Sequence, residues 1–206
     1  MVCLALDTHN PSAITPGDSF FGSEIFTHER FSRGSGCRVE ARARLVSPIA
    51  KGLVGGIFHF EYFPATGLHS EIDFEFLSNS PDKVQTNVYS NEPFGAGHFA
   101  FAGIPGLDLT RFNTYRFDWL PSEVRWYINN QLIHNESISP NEDLSLHLNI
   151  WAPACDWAVA CDPKLTPASR PQDNVTYYFC VDWVRVSDVP RPDVDFRSSW
   201  KRILIR

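Results

Sequence analysis

The sequence predicts an all-β fold in which two antiparallel sheets pack against each other as a sandwich. Apolar and polar residues alternate along about ten short segments, and a period of two is typical of half-buried strands. Gly, Pro and Asn residues mark the turns between these segments, and no segment has the apolar spacing of an amphipathic helix. The chain of 206 residues is long enough for one domain with a sizeable core.

The first half of the chain contains the strands predicted at 2–7, 20–31, 38–45, 53–63, 71–77 and 83–89. The segment 38–45 alternates charged residues with small apolar ones, which indicates one solvated face and one buried face. The segment 53–63 is rich in aromatic residues, and Phe58, Phe60 and Tyr62 share one of its faces. A turn at 79–82 joins the next two strands, which we therefore expect to pair as a hairpin.

The second half contains the strands predicted at 114–120, 123–129, 131–134, 144–151 and 176–186. Pro121 and Ser122 join the first two as a hairpin. The clearest alternation lies in 144–151, where four aliphatic residues point to the core and Ser145, His147, Asn149 and Trp151 point away. A loop rich in Ala, Cys, Asp and Pro follows at 152–173, and we expect 190–206 to be a tail or a late strand.

The segment 71–77 separates charge from apolar surface most sharply. It places Glu71, Asp73 and Glu75 on one face and Ile72, Phe74 and Phe76 on the other. The apolar face predicts an interior strand. The backbones of Glu71 and Glu75 would lie about 13 Å apart, and inward-leaning side chains could bring their carboxyl groups to about 5 Å, the separation in retaining glycosidases. The alternatives are a solvated strand face or a set of oxygen ligands for calcium.

The residues of 71–77, EIDFEFL, resemble the signature of glycoside hydrolase family 16. The spacing of one residue between Asp73 and Glu75 resembles that of the lichenase and xyloglucan-transferase branch. The laminarinase branch usually has one more residue at this place. The resemblance covers about 38–186 and implies a concanavalin-like β-jelly roll of two antiparallel sheets with a concave substrate cleft. It implies a catalytic domain at 1–189, in which the opening strands that the family has before Val2 lack a counterpart.

The resemblance also implies the roles of individual residues. Glu71 matches the nucleophile, Asp73 the assisting carboxylate and Glu75 the general acid/base, whose pKa the neighbouring negative charges should hold up. The residues that match cleft positions of lichenase-like members are Phe58, Phe60, His69, Asn87, Tyr89, Asn149, Trp151 and Trp157. The side chains of His59, His134 and His147 are interpreted as structural or surface histidines.

Three functions compete at this point. The first is a retaining endo-β-glucanase that hydrolyses β-1,3-1,4 (mixed-linkage) or related β-glucans. The second is a transglycosylase that acts on xyloglucan or cell-wall glucan, although the long carboxyl-terminal extension of the plant transferases is absent. The third is a non-catalytic, lectin-like carbohydrate-binding module, which three crowded carboxylates do not favour. We expect no required cofactor and no catalytic metal, while a structural calcium ion stays an open alternative.

Composition limits the partners and the compartment. The net charge of −6 argues against nucleic acid and suits a neutral polysaccharide. The chain has no apolar run that could span a membrane, and Met1–Asp7 is too short for a signal peptide. The resemblance implies secretion, and we expect a monomer. Of the five cysteines, Cys155 and Cys161 could close a small loop, and an odd count leaves at least one free thiol.

Overall fold

The structure, a computed structural model, describes residues 1–190 and 201–203 and confirms the all-β sandwich. Its strands are β1 (Val2–Asp7), β2 (Ser23–Phe31), β3 (Cys37–Leu45), β4 (Val54–Phe63), β5 (Leu68–Leu77), β6 (Val84–Glu92), β7 (Ala100–Ala102), β8 (Asn113–Trp119), β9 (Val124–Ile128), β10 (Gln131–Glu136), β11 (Leu144–Trp151), β12 (Thr176–Asp188) and β13 (Lys201–Ile203). A 3-10 turn lies at Pro171–Asp173. None of the described helical structure has the length and apolar character needed to cross a membrane.

The strands form two antiparallel sheets. The front sheet has the order β2-β11-β4-β5-β6-β7, and the back sheet has the order β1-β12-β3-β8-β9-β10, with β13 paired to β12. The acidic strand β5 is therefore an interior strand, as its apolar face predicted. Neighbours such as β11 and β4 are far apart in the sequence, so their pairing is a non-local contact that the alternation alone does not specify.

The core lies between the two sheets and is filled by one face of each strand. Leu144, Leu146, Leu148 and Ile150 are all buried, in agreement with the alternation of β11. The back sheet contributes the largest fully buried side chains, Trp119 and Trp126 among them. Interdigitation of the two inner faces packs the front sheet against a close-packed core, which fixes the positions of the side chains on its outer face.

Most predicted strands agree with the structure to within two residues at each end, while β2 begins at Ser23, three residues after the predicted start, and β6 continues to Glu92, three residues past the predicted end. The three-residue strand β7 was missed, because three residues are too few to show a period. The acidic strand begins at Leu68, three residues before the predicted start, since its pairing with β4 extends to Phe63. Within the predicted tail, Lys201–Ile203 forms a strand, and the other residues after Pro190 lie outside the described residues.

Two disulfides are present among the described residues. Cys3–Cys180 joins β1 to β12 and closes a loop of 177 residues, while Cys155–Cys161 closes a loop of 6 residues, as the spacing suggested. Cys37 is the free cysteine there, and burial raises the pKa of its thiol to about 12. A thiol in this environment stays protonated, so Cys37 has no nucleophilic character.

The disulfide between the two ends of the domain should contribute strongly to stability. We expect Cys3→Ala/Cys180→Ala to lower the free energy of unfolding by about 3 kcal/mol, because the unfolded chain gains the entropy of a very long open loop. Urea unfolding at neutral pH measures this change. Cys155→Ala/Cys161→Ala is the control, and it should lose less because its loop is short. Equal losses in the two variants would contradict the loop-length explanation.

Candidate active site

The centre of the front sheet carries the three predicted carboxylates on its outer face. Glu71, Asp73 and Glu75 alternate along β5, between β4 and β6. The indole N–H of Trp126, from the back sheet, donates a hydrogen bond of 2.9 Å to the backbone carbonyl of Asp73. This bond ties the middle of the acidic strand to the opposite sheet, so the carboxylates stand on a fixed backbone.

Cross-strand pairing surrounds each carboxylate with defined neighbours. The rows across β4, β5 and β6 are Phe60–Glu71–Tyr89, Phe58–Asp73–Asn87 and Gly56–Glu75–Gln85. Residues directly opposite each other in an antiparallel pair have neighbouring side chains on the same face. Four of the predicted binding residues and all three carboxylates therefore meet within three rows, and the row of Glu75 adds Gln85, which the prediction did not include.

A cleft of about 590 Å³ opens above these rows. The residues that line it are Glu71, Asp73, Glu75, Gln85, Asn87, Tyr89, Phe94, Gly95, Gly97, Phe99, Phe101, Trp151, Trp157, Ala158 and Val159. The carboxylates thus share one cavity with five aromatic rings besides Tyr89 and with two amide side chains. Such a combination can hold a sugar, because rings stack on its C–H faces and amides bond its hydroxyl groups.

Burial controls the protonation of two of the carboxylates. Asp73 is 2% exposed, and burial, followed by the charges of Glu71 and Glu75, raises its pKa well above the usual range. Burial also raises the pKa of Glu75 well above the usual range, with the charge of Glu71 as the second cause. The sequence predicted a raised pKa for Glu75 from charge alone, so the larger contribution, burial, is a finding of the structure.

Several polar atoms around the cleft are buried without a hydrogen-bond partner among the described residues. They are Asp73 Oδ1, Glu75 Oε2, Gln85 Oε1, Asn149 Oδ1 and Trp151 Nε1. Buried polar atoms are normally satisfied, and unsatisfied ones cluster at functional sites. Their concentration around the carboxylates indicates a surface that is completed by a polar ligand.

The two predicted tryptophans form one wall of the cleft. Trp151 ends β11, Trp157 lies in the following loop, and their rings stack at 5.7 Å. The Cys155–Cys161 disulfide closes this loop, and the Asn79 side-chain amide donates to the carbonyls of Val159 and Cys161. Local constraints therefore hold Trp157 over the carboxylates, although the loop has no regular secondary structure.

His69 lies beneath the cleft surface rather than on it. Its ring is fully buried, stacks on Phe94 at a centroid distance of 4.0 Å and lies 4.2 Å from the ring of Tyr89. Its Nε2 is 3.4 Å from the carboxylate of Glu71. A direct sugar contact, which the resemblance implied for His69, is not available in this arrangement. The ring instead lies against the carboxylate predicted to be the nucleophile.

The remaining predicted residues lie toward β11 on the same face. Phe58 and Phe60 form an edge-to-face pair at 6.4 Å, and Phe58 is 8% exposed. The amide oxygen of Asn149 lies over Gly56, where a Cβ would approach it to 2.5 Å. A side chain at position 56 would therefore displace the Asn149 amide. These three residues extend the front face beyond the cleft that contains the carboxylates.

The structure adds a partly exposed His–Glu pair on this side that the sequence did not predict. His147 Nδ1 lies 2.7 Å from Glu24 Oε1, and the His147 ring is stacked between Phe26 at 5.3 Å and Phe58 at 5.0 Å. The hydrogen bond with His147 is the main reason that the pKa of Glu24 is lowered. This position on the outer face of β11 fits the interpretation of His147 as a structural or surface histidine. The alternation within β11 predicted that His147 points away from the core, but it could not predict that β2 pairs with β11 and brings Glu24 next to His147.

No group of three or more His, Cys, Asp or Glu side chains that could hold a metal ion is found within residues 1–190 and 201–203. The calcium alternative raised by the sequence stays a prediction.

Comparisons with known proteins place the chain in one family. The family model for glycosyl hydrolases family 16 matches residues 4–165. A beta-glucanase of Bacillus amyloliquefaciens is 40% identical over 84 residues, which are 39% of this chain and 34% of that protein. An endo-1,3-1,4-beta-glycanase, ExoK, of Rhizobium meliloti is 33% identical over 116 residues, 56% of this chain and 40% of that protein. The matched regions thus span less than half the length of these relatives.

A solved structure shows the same fold. The beta-glucanase of Bacillus licheniformis superimposes with a TM-score of 0.66 at 24% sequence identity, covering 89% of this chain and 77% of that chain. At this identity the likeness speaks for the architecture alone. It establishes the jelly-roll arrangement of the two sheets that the sequence resemblance implied.

Proposed function

The chain belongs to glycosyl hydrolases family 16, and we propose that it is a retaining endo-β-glucanase acting on mixed-linkage β-1,3-1,4-glucan or a related β-glucan. One observation carries the proposal: three carboxylates alternate on the outer face of an interior strand and line a single cleft together with stacked tryptophans. A strand would not keep three neighbouring carboxylates in a partly buried cleft without a chemical use, because like charges repel there.

In the first chemical step, Glu75 donates a proton to the glycosidic oxygen while Glu71 attacks the anomeric carbon. The bond to the leaving sugar breaks, and a covalent glycosyl-enzyme forms. Glu75 must hold a proton at the start, and the burial that raises its pKa favours this state. His69, buried beside the Glu71 carboxylate, limits the directions in which this side chain can move.

In the second step, Glu75 takes a proton from water, and the water attacks the anomeric carbon and releases Glu71. Two inversions at the same carbon retain the original β-configuration. Asp73 lies between the two glutamates, and its own raised pKa favours a protonated form. A protonated Asp73 can donate a hydrogen bond to a neighbouring carboxylate, which couples the protonation of the three groups.

The neighbours of the carboxylates support a neutral sugar polymer as the substrate. The rings of Trp151 and Trp157 offer apolar faces, and Asn87 and Gln85 offer amide groups beside the carboxylates. The net charge of −6 disfavours a polyanionic chain. The relatives named beta-glucanase and endo-1,3-1,4-beta-glycanase support the choice of a β-glucan.

We infer that the protein acts outside the cell. Two disulfides among the described residues favour an oxidising compartment, and a polysaccharide substrate is found outside the cell. We propose a monomer as the active form, because the cleft and all three carboxylates belong to one chain.

Product analysis tests the proposal. The wild type should release short oligosaccharides from barley mixed-linkage glucan, whereas Glu71→Gln should release none. NMR during the first turnovers can determine the anomeric configuration of the released products. Products with the β-configuration would identify the retaining route. If the wild type is inactive on this polymer, the same assay on xyloglucan with an added oligosaccharide acceptor separates a transglycosylase from a binding module, because only the former changes the chain-length distribution.

A further inference from the structure

The outer edge of the front sheet presents two aromatic rings on the same face as the carboxylates. Phe101 lies opposite Gln85 in the β6–β7 register, and Gln85 lies opposite Glu75 in the β5–β6 register. The row that contains the general acid/base therefore continues to Phe101. Phe99, two residues earlier, points to the same face because side chains alternate along an extended strand.

Both rings are unusually accessible for their size. Phe99 is 61% exposed and Phe101 is 38% exposed, and they contact each other edge to face at a centroid distance of 6.2 Å. The ammonium group of Lys83 lies 5.2 Å from the centre of the Phe101 ring. Both phenylalanines line the cleft that contains the carboxylates. An exposed apolar pair that is continuous with a binding site indicates a contact surface for a ligand.

We propose that Phe99 and Phe101 form an aromatic platform that stacks a sugar unit of the polysaccharide next to, but separate from, the unit that reacts. This inference rests on the proposed function. Neighbouring strands are about 4.8 Å apart, so β7 lies about 10 Å from β5. The platform is therefore too far from Glu71 and Glu75 to hold the reacting sugar, and it acts on binding and on the length of substrate that the cleft recognises.

The surroundings of the platform favour a sugar over other apolar ligands. The amide of Gln85 lies between Phe101 and the carboxylates, and its Oε1 is buried without a hydrogen-bond partner among the described residues. A ligand that covers both groups must present an apolar face and a hydrogen-bond donor next to each other. A pyranose ring does this, because its C–H face is apolar and its hydroxyl groups lie around the rim.

Binding measurements in a Glu71→Gln background test the platform without hydrolysis. We expect Phe99→Ala and Phe101→Ala each to weaken binding to barley mixed-linkage glucan by about 10-fold, and the double variant to weaken it further. Affinity for an oligosaccharide too short to extend from the carboxylates to β7 should stay unchanged. Leu132→Ala is the matched control, because Leu132 is 54% exposed but lies on β10 of the back sheet. Phe101→Trp, in the same Glu71→Gln background, should bind the polymer at least as tightly as the protein with Phe101, because the larger ring can also stack on a sugar.

The outcomes separate the platform from the proposed function. Equal affinity of the Phe99→Ala/Phe101→Ala and Leu132→Ala variants for the polymer would overturn the platform alone. A uniform loss for short and long ligands would also overturn it, because the rings would then act on the whole cleft. If Glu71→Gln itself binds no β-glucan and the wild type releases no products, the proposed function fails, and the platform as defined here fails with it.

Discussion

Replacing Glu71 by Gln should lower the rate of glucan hydrolysis by about 10⁴-fold or more, because the covalent intermediate can no longer form. Gln has nearly the same shape as Glu, so the cleft keeps its geometry and the variant should still bind the polymer. The measurement is the initial rate of reducing-end formation from mixed-linkage glucan. Glu61→Gln is the matched control: the Glu61 side chain is 15% exposed, as is that of Glu71, but it pairs with Arg30 and does not line the cleft.

Glu75→Ala should behave differently, and the difference identifies the roles. Loss of the general acid should lower the rate on glucan by about 10²- to 10⁴-fold. An aryl glycoside with a good leaving group needs no protonation, so its glycosyl-enzyme should still form. Azide, which needs no general base, should then release a β-glycosyl azide from Glu75→Ala. If azide instead yields the α-product from Glu75→Ala and the β-product from Glu71→Ala, the two assignments are reversed.

The buried His59 should make the domain unstable in acid. His59 is fully buried between Phe31, Phe117 and Trp119, and neither ring nitrogen has a hydrogen-bond partner among the described residues. Burial, with a smaller contribution from the charge of His147, lowers its pKa from 6.5 to about 3. At a pH between these two pKa values, His59 is protonated in the unfolded chain but neutral in the folded chain. Stability therefore falls as the pH falls, by about 1.4 kcal/mol per pH unit from this residue.

His59→Phe should remove this part of the acid sensitivity. Phenylalanine is also an aromatic ring of similar size, and no hydrogen bond is lost, so we expect little change or a small gain in the free energy of unfolding at pH 7. At pH 4 the variant should exceed the wild type by about 3 kcal/mol. Urea unfolding at pH 4, 5.5 and 7 measures the difference, and His28→Phe, at an exposed position, controls for the added ring. Parallel pH dependence of the wild type and His59→Phe would show that His59 does not titrate as its burial requires.

Local patterns in the sequence were sufficient for the sandwich and for the three carboxylates. Alternation is a property of consecutive residues, so the faces of β5 and β11 could be assigned before any partner strand was known. The strongly apolar face of β5, with Ile72, Phe74 and Phe76, was also the basis for predicting an interior rather than an edge strand, which the sheet order confirms. The resemblance then gave Glu71, Asp73 and Glu75 their expected roles.

Tertiary structure decided how far each group is exposed and which groups meet. Glu24 and His147 are 123 residues apart and pair only because β2 lies beside β11. His69 is close in sequence to the acidic motif, yet the ring that stacks on it, Phe94, comes from the connection between β6 and β7. The short strand β7 carries Phe101 into the row of Glu75. The sequence itself determined which side chains share a face. The register between distant strands and the burial by distant loops depend on residues that are far apart in the sequence. These non-local contacts determined the raised pKa of Glu75, the burial of His69 and the extent of the cleft.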